Sequence, residues 1–277
     1  MKISAGHVFR KPGHKVRLDT IPTQPPKGMT KERARARLDA LGAELFTLQD
    51  ALWGSKLDAV LVVLQGRDGA GKDGAIKNVA GYLNPRGVVV HSFGVPTVEE
   101  RAHDFLWRVH LRTPARGEVT LFNRSHYEDV LVTRVHELIP KKVWQPRYGH
   151  IADFEAVLAE AGTLVLKFFL HISRDEQEKR LTEREQDPRT AWKLNVDDWK
   201  ERAHWDDYTR AYEDAIERTA AKHAPWIVVP ADAKWYRDLV VAEALVEAMR
   251  TREKAWHDRL SEMGREGRRA IAAWRKG

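Results

Sequence analysis

A glycine-rich run at residues 66–74 carries the clearest chemical signal in the sequence. It reads GRDGAGKDG and matches the pattern GxxxxGK, between an apolar run and a helical segment. In that setting the glycines let backbone N–H groups curl around a phosphate, the helix N-terminus adds its dipole, and Lys72 supplies a positive charge. We therefore predict a phosphate-binding loop. Its backbone positions are Gly66, Gly69, Ala70 and Gly71.

Two carboxylates distinguish this run from the ordinary phosphate-binding loop. Asp73 stands where a Ser or Thr usually holds Mg²⁺, and Asp68 lies inside the loop, where it would repel phosphate unless a cation lay between them. We infer that Mg²⁺ bridges Asp68 to the phosphates, with Mn²⁺ as an alternative. For Asp73 a second explanation stands beside a binding role, because an acidic residue in the first turn of a helix is favourable by itself.

A second polar cluster follows the apolar run at residues 119–122. Asn123 occupies the position where a metal-binding acid is usual, and Arg124 beside it is a candidate for gripping a transferring phosphoryl group. Ser125 and Glu128 have the spacing of a capping box, so Glu128 has a structural explanation. That leaves Asp129 as the candidate metal ligand, with a solvated helix acid as the alternative.

The stretch from 180 to 207 is dense in Arg, Trp and Asp, and Asp187 followed by Pro188 breaks its helical pattern. We predict a flexible lid. Arg180 and Arg184, four residues apart, share one helix face and could stabilise transition-state charge on the phosphates. The alternative is a salt-bridged surface helix. Trp192 and the other tryptophans here either pack the lid or stack on a base.

The elements that must position these residues alternate between short apolar runs and helical segments. This alternation predicts a parallel sheet with crossover helices in one α/β domain, because parallel strands are joined by helices. The predicted strands are 59–65, 88–93, 119–122, 163–172 and 226–229. We assign residues 1–29 to an extended arm, 30–257 to the domain, beginning with an amphipathic helix, and 258–277 to a basic helical tail.

Composition excludes several classes of protein. The 277 residues are 43% hydrophobic and 31% charged, which is typical neither of a disordered chain nor of a membrane protein. There is no cysteine, so disulfides, thiolate metal sites and a cysteine nucleophile are excluded. The net charge of +7 favours an anionic partner. We expect a cytoplasmic location, because residues 1–20 lack the apolar core of a secretory signal.

Four blocks in order, GRDGAGKDG, FGVPTVEERAHDFLWR, LFNRSHYEDVLV and DPRTAWKLNVDDWKERAHWDDY, resemble the family-2 polyphosphate kinases over residues 10–250. The resemblance implies a three-layer domain similar to thymidylate kinase, with a five-stranded parallel sheet and a helical lid. It implies Mg²⁺-dependent phosphoryl transfer between inorganic polyphosphate and adenine or guanine nucleotides, without nucleic acid or membrane. It also implies a homo-oligomer.

The resemblance assigns roles by motif. Asp68 and Lys72 become the essential loop pair, Arg124 the arginine after the third strand, Arg184 the lid arginine and Asp198 the acidic residue of the lid. The block NRSHYED has Asn123 where many members have Asp, and it looks like the subgroup that accepts AMP as well as ADP. This departure moves the expected metal role from residue 123 to Asp129.

Two rival functions stay open on the residues alone. An ATP-dependent nucleotide or small-molecule kinase would phosphorylate without polyphosphate. A basic nucleic-acid-binding module would show salt-dependent binding and would be indifferent to loss of Lys72.

Overall fold

The computed structural model describes residues 6–189 and 191–276. The strands in these ranges are β1 (His7–Phe9), β2 (Ala59–Gln65), β3 (Val88–Ser92), β4 (Val119–Asn123), β5 (Thr163–His171) and β6 (Trp226–Pro230). They form one sheet in the order β1-β6-β5-β2-β4-β3. Strands β2 to β6 are parallel, as predicted, and their bounds lie within one residue of the predicted ones.

The sheet has a sixth strand that was not predicted from the sequence. Strand β1, from the N-terminal arm, pairs antiparallel with β6, with Val8 opposite Ile227. Three residues are too short to show a period of two, so no sequence pattern marks them as a strand. The arm pairs with the edge of β6, which would otherwise expose its backbone N–H and C=O groups.

Helices cover both faces of the sheet. They are α1 (Lys31–Ser55), α2 (Lys72–Ala80), α3 (Val98–Ala102), α4 (Trp107–His110), α5 (Val132–Val135), α6 (Lys141–Trp144), α7 (Arg147–Glu160), α8 (Arg174–Gln186), α9 (Val196–Glu201), α10 (Trp205–Thr219) and α11 (Lys234–Trp274). Short 3-10 turns lie at Leu18–Thr20, Pro85–Gly87, His126–Asp129, Ala191–Lys193 and Arg202–His204.

Strand β2 divides the core into two layers, because successive side chains of a strand point to opposite faces. Val60, Val62 and Leu64 pack with α1, α2 and α11 on one face. Leu61 and Val63 pack with α7, α10 and the N-terminal arm on the other. All five side chains are fully buried, so the strand that leads into the glycine-rich loop is fixed from both sides.

Helix α11 runs without a break from Lys234 to Trp274, so the boundary predicted at residue 258 lies inside a continuous helix. Its first half packs against α1 and is buried, whereas its last turns are exposed. Gly277, the last residue of the predicted tail, lies outside the described residues. No helix in the described ranges is both long and apolar enough to cross a membrane.

The parallel register brings the chemically interesting residues to one edge of the sheet. Leu64 of β2 lies opposite Asn123 of β4, and the backbone N–H of Arg124 donates to the carbonyl of Leu64 at 3.1 Å. The carboxyl ends of parallel strands meet at the same edge, where open α/β sheets bind ligands. The fold therefore places the glycine-rich loop beside the Asn123–Arg124 cluster.

Candidate active site

A cleft of about 770 Å³ lies at this edge of the sheet, between the glycine-rich loop and the lid (residues 180–207). The loop and the ends of β3 and β4 form its floor, and residues of the lid and of α11 form its walls. The predicted site residues that line the cleft are Asp68, Gly69, Gly71, Lys72, Asp73, Asn123, Arg124, Arg180, Arg184 and Asp198.

The loop has the backbone of a phosphate cradle. Gly69 and Gly71 have φ of +82° and +95°, a region that side chains with a Cβ rarely adopt. A Cβ on Gly71 would also lie 2.0 Å from Nη1 of Arg237, so a side chain there would displace this guanidinium. Lys72 Nζ donates to the carbonyl of Gly66 at 2.7 Å, and burial lowers the pKa of Lys72 while Asp68 opposes that shift.

Asp68 is the centre of a compact charge cluster. Arg124 Nη2 donates to its Oδ1 at 2.5 Å, and Lys72 Nζ lies 3.6 Å from the same oxygen. Burial alone would raise the pKa of Asp68, but Lys72 and Arg124 outweigh it and hold that pKa below its usual range. Asp68 therefore stays ionised at neutral pH.

Arg124 adopts φ of +61°, a strained backbone conformation for a residue with a side chain. Its guanidinium reaches both Asp68 and Glu128, whose Oε2 accepts from Nη1 at 3.4 Å. Burial raises the pKa of Glu128, and Arg124 opposes the shift. The spacing of Ser125 and Glu128 predicts a capping box that includes the Glu128 side chain. The Ser125 hydroxyl does cap the turn, since it accepts from the N–H of Tyr127, but the Glu128 carboxylate pairs with Arg124.

Asp73 connects three elements across the mouth of the cleft. Its carboxylate accepts from Asn123 Nδ2 at 2.7 Å and from Nζ of Lys193, in the lid, at 3.0 Å. Burial would raise the pKa of Asp73, but these two partners lower it overall. The carboxylate that replaces the usual Ser or Thr therefore links α2 to the end of β4 and to the lid.

The two lid arginines have different surroundings, contrary to the expectation that both close over phosphate. All five N–H groups of Arg180 are used inside the protein: Nε on Glu176, Nη1 on the carbonyls of Gly69 and Ala70, and Nη2 on those of Ala231 and Asp232. Arg180 therefore holds the loop to the segment between β6 and α11 and has no donor left for a ligand.

Arg184 faces the cleft, and among the described residues its Nε and Nη2 have no hydrogen-bond partner. Its Nη1 donates to Asp198 Oδ2 at 2.5 Å and to the carbonyl of Lys193 at 3.4 Å. Burial and the charge of Asp68 raise the pKa of Asp198, and Arg184 opposes them. Of Arg180 and Arg184, the second is thus the one positioned to reach a phosphate.

Asp129 lies outside the residues that line the cleft. Its Oδ1 accepts from Arg147 Nη1 at 2.9 Å, and its Oδ2 lies 3.8 Å from Arg108 Nη2. The carboxylate belongs to an ion-pair cluster, so its metal role stays a prediction that no contact supports. In the part of the chain that the structure describes, no group of three or more His, Asp or Glu side chains has a metal-binding arrangement.

Three cationic side chains of the cleft were not predicted from the sequence: Lys193 of the lid, and Lys234 and Arg237 of α11. Arg237 is buried against Gly71 and Gly74, and its Nη2 pairs with Asp238 at 2.6 Å. They lie 121 or more residues beyond Lys72 in the chain, so no local spacing relates them to the loop. The glycines of the loop indicate that another group packs closely against its backbone. They do not identify that group.

Comparison with known proteins agrees with this geometry. The family model described as "Polyphosphate kinase 2 (PPK2)" matches residues 28–257. An AMP/ADP-polyphosphate phosphotransferase of Meiothermus ruber is 52% identical over 219 residues, 79% of this chain and 82% of that protein. An ADP-polyphosphate phosphotransferase of Rhodopseudomonas palustris is 40% identical over 262 residues, 90% of this chain and 91% of that one.

Among solved structures, polyphosphate kinase 2 from Arthrobacter aurescens superposes with a TM-score of 0.82 at 41% identity, over 88% of this chain and 91% of that one. The match of the family model includes the glycine-rich loop, the Asn123–Arg124 cluster and the lid. The chain therefore belongs to the polyphosphate kinase 2 family.

Proposed function

We propose that this protein transfers phosphoryl groups between inorganic polyphosphate and nucleotides, with AMP and ADP as acceptors. The observation that carries the proposal is the Asp68–Lys72–Arg124 cluster, in a glycine-rich loop of a chain that belongs to this family. The names of the relatives from Meiothermus ruber and Rhodopseudomonas palustris supply the substrate class. Family membership favours this function over an ATP-dependent kinase and a nucleic-acid-binding module.

The cleft suits phosphoryl transfer because this reaction needs positioning and neutralisation of charge more than a strong base. The loop N–H groups, the N-terminus of α2 and Lys72 would hold phosphate oxygens. Arg124 from the floor and Arg184 from the lid would grip the phosphoryl group in transfer. Asp68, with its lowered pKa, is a weak proton acceptor and would act as a fixed negative charge that orients Lys72 and Arg124.

We propose Mg²⁺ as the cofactor, with Mn²⁺ as an alternative. Mg²⁺ in such sites takes one or two protein carboxylates, and substrate phosphates and water complete its shell, so a cluster of three protein ligands is not required. Asp68 and Asp73, both in the cleft lining, fit this pattern. The arginine and lysine side chains that pair with these two carboxylates would have to give up part of that contact to the ion. The ion would in turn neutralise charge on the phosphates.

The test is ATP formation from ADP, and separately from AMP, with polyphosphate and Mg²⁺, detected with luciferase. Wild-type protein would be compared with Asp68→Asn and Lys72→Ala, and folding of each variant would be checked by circular dichroism. We expect activity in the wild type and its loss in both variants. Absence of ATP from either acceptor with folded wild-type protein would overturn the proposal and favour an ATP-dependent kinase.

A homo-oligomer and a cytoplasmic location stay predictions from the resemblance and from the N-terminal sequence. Light scattering coupled to size exclusion measures the first directly. A mass of 31.8 kDa at all concentrations would contradict it.

A further inference from the structure

The floor of the cleft is built for phosphate, and it offers little to a nucleobase. Asp68, Lys72 and Arg124 hold charge there, and the lid contributes Arg184 and Lys193. A nucleotide whose phosphates sit among these groups must place its base farther out. Bases are commonly held by stacking on aromatic side chains, so the aromatic residues of the cleft are the first candidates.

Of the described residues that line the cleft, the aromatic ones are Phe93 and Trp192. Phe93 is 7% exposed and already committed to protein contacts. Its ring meets Phe122 edge-on at 4.8 Å, and the Arg108 guanidinium lies 5.5 Å from its centroid. It has little free surface for a ligand.

Trp192 is 78% exposed, although tryptophan is among the most costly side chains to leave in water. The other lid tryptophans are engaged. Trp199 donates its indole N–H to Glu185 at 2.8 Å, and Arg67 stacks on Trp205 with 4.0 Å to the ring centroid. The ring of Trp192 has Lys193 beside it at 5.0 Å and is otherwise largely open.

The position of Trp192 is set by the contacts of its neighbour. Lys193 binds Asp73 at the N-terminus of α2, and the carbonyl of Lys193 accepts from Arg184. These two contacts fasten the lid turn Ala191–Lys193 to the rim of the phosphate site. An exposed indole is thereby held at the mouth of a phosphate cleft.

We propose that Trp192 is the base-stacking residue for the nucleotide whose phosphates occupy the cleft. The inference rests on the proposed function and adds the subsite for the base. Stacking uses the face of a base, which every base has, rather than its hydrogen-bonding edge. A site of this kind accepts several bases and favours purines over pyrimidines, because the larger ring system stacks over more area.

The test compares kcat/KM for ADP and for CDP, with polyphosphate as donor, in wild type, Trp192→Ala and Trp192→Phe. Loss of the indole should lower kcat/KM for ADP by about tenfold and for CDP by less, so the ratio of the two falls by about threefold or more. Trp192→Phe should restore most of the ratio. The KM for polyphosphate should stay near the wild-type value.

Trp199→Ala is the matched control, because Trp199 lies in the same lid but not in the cleft lining. Damage to lid packing should change the rates with ADP and CDP by the same factor and leave their ratio unchanged. If Trp192→Ala behaves in this way, the stacking role is wrong and Trp192 serves only to pack the closing lid.

Calorimetric titration of wild type and Trp192→Ala with ADP alone tests the stacking role of Trp192 independently of the proposed function. Weaker binding of ADP by the variant supports stacking even if polyphosphate is not the donor. Equal affinity of the two proteins for ADP overturns it, whatever the turnover assay shows.

Discussion

The floor and the lid of the cleft differ in how deeply their side chains are buried and in what holds them in place. On the floor, Lys72 is buried and donates to the backbone carbonyls of Gly66 and Arg67 in the loop. In the lid, Lys193 and Trp192 are partly or largely exposed, and single ion pairs hold the segment in place. Buried, fully bonded groups are pre-organised, whereas exposed ion pairs form and break at small cost. We therefore expect the floor to fix charge before substrate arrives and the lid to open to exchange it.

The largest expected effect tests the floor. Arg124→Ala should lower kcat by about a thousandfold, because an arginine on a transferring phosphoryl group typically contributes that much. Arg124→Lys should recover part of the rate, since it keeps the charge but loses the two-pronged geometry. Initial rates of ATP formation from ADP measure both variants.

Arg112→Ala is the control for charge alone, because Arg112 is exposed and outside the cleft lining. A rate for Arg124→Ala within tenfold of wild type would show that the floor does not act on the reacting group.

The second test separates the two lid arginines. Arg180→Ala should lower the free energy of unfolding by about 3 kcal/mol, because it leaves carbonyls of the loop and of the segment between β6 and α11 without donors. Arg184→Ala should change stability little and lower kcat, since its guanidinium faces the cleft. Urea denaturation and steady-state rates measure both variants. Equal loss of stability in the two would break the distinction between a structural and a catalytic arginine.

The third test uses pH. Burial lowers the pKa of His171, at the carboxyl end of β5, from 6.5 to about 4, while the arm carbonyls of Leu18 and Ile21 accept from its ring. Below pH 6.5 the unfolded chain binds the proton more readily, so this contribution to stability is present above 6.5 and is lost as pH falls toward 4. We expect a loss of about 2 kcal/mol between pH 7 and 5.

His171→Gln keeps an N–H donor and removes the titration, so its urea midpoint should fall less over the same pH range. Equal pH dependence in variant and wild type would assign the effect to other groups.

The smallest expected effect concerns the lid contact between Lys193 and Asp73. Both side chains are partly exposed, so Lys193→Ala should change kcat/KM by only about threefold. In a double-mutant cycle, Lys193→Ala should change kcat/KM less in the Asp73→Asn background than in the wild type, because its partner is already gone. Independent, additive effects would mean that the two residues do not act as a pair.

Much of this protein could be predicted from local sequence. The five parallel strands follow from their apolar runs, and the loop follows from the spacing of its glycines and Lys72, because backbone geometry and hydrophobic period act over a few residues. The interpretation of Asp68 as a carboxylate close to Lys72 needed only the loop itself. The family resemblance came from four blocks that stand in order along the chain.

Tertiary structure alone decided the roles of residues that look alike in sequence. Arg180 and Arg184 share a helix face, yet Arg180 meets backbone carbonyls of the loop and of the segment before α11, whereas Arg184 meets Asp198 in the cleft. Asp129 forms ion pairs with two arginines, and Arg237, which is distant from the loop in the sequence, packs against it. A sequence shows which side chains can ionise and which can donate hydrogen bonds. Which partners reach them depends on packing between elements distant in the chain, and that packing assigned each charge to the floor, to the lid or to neither.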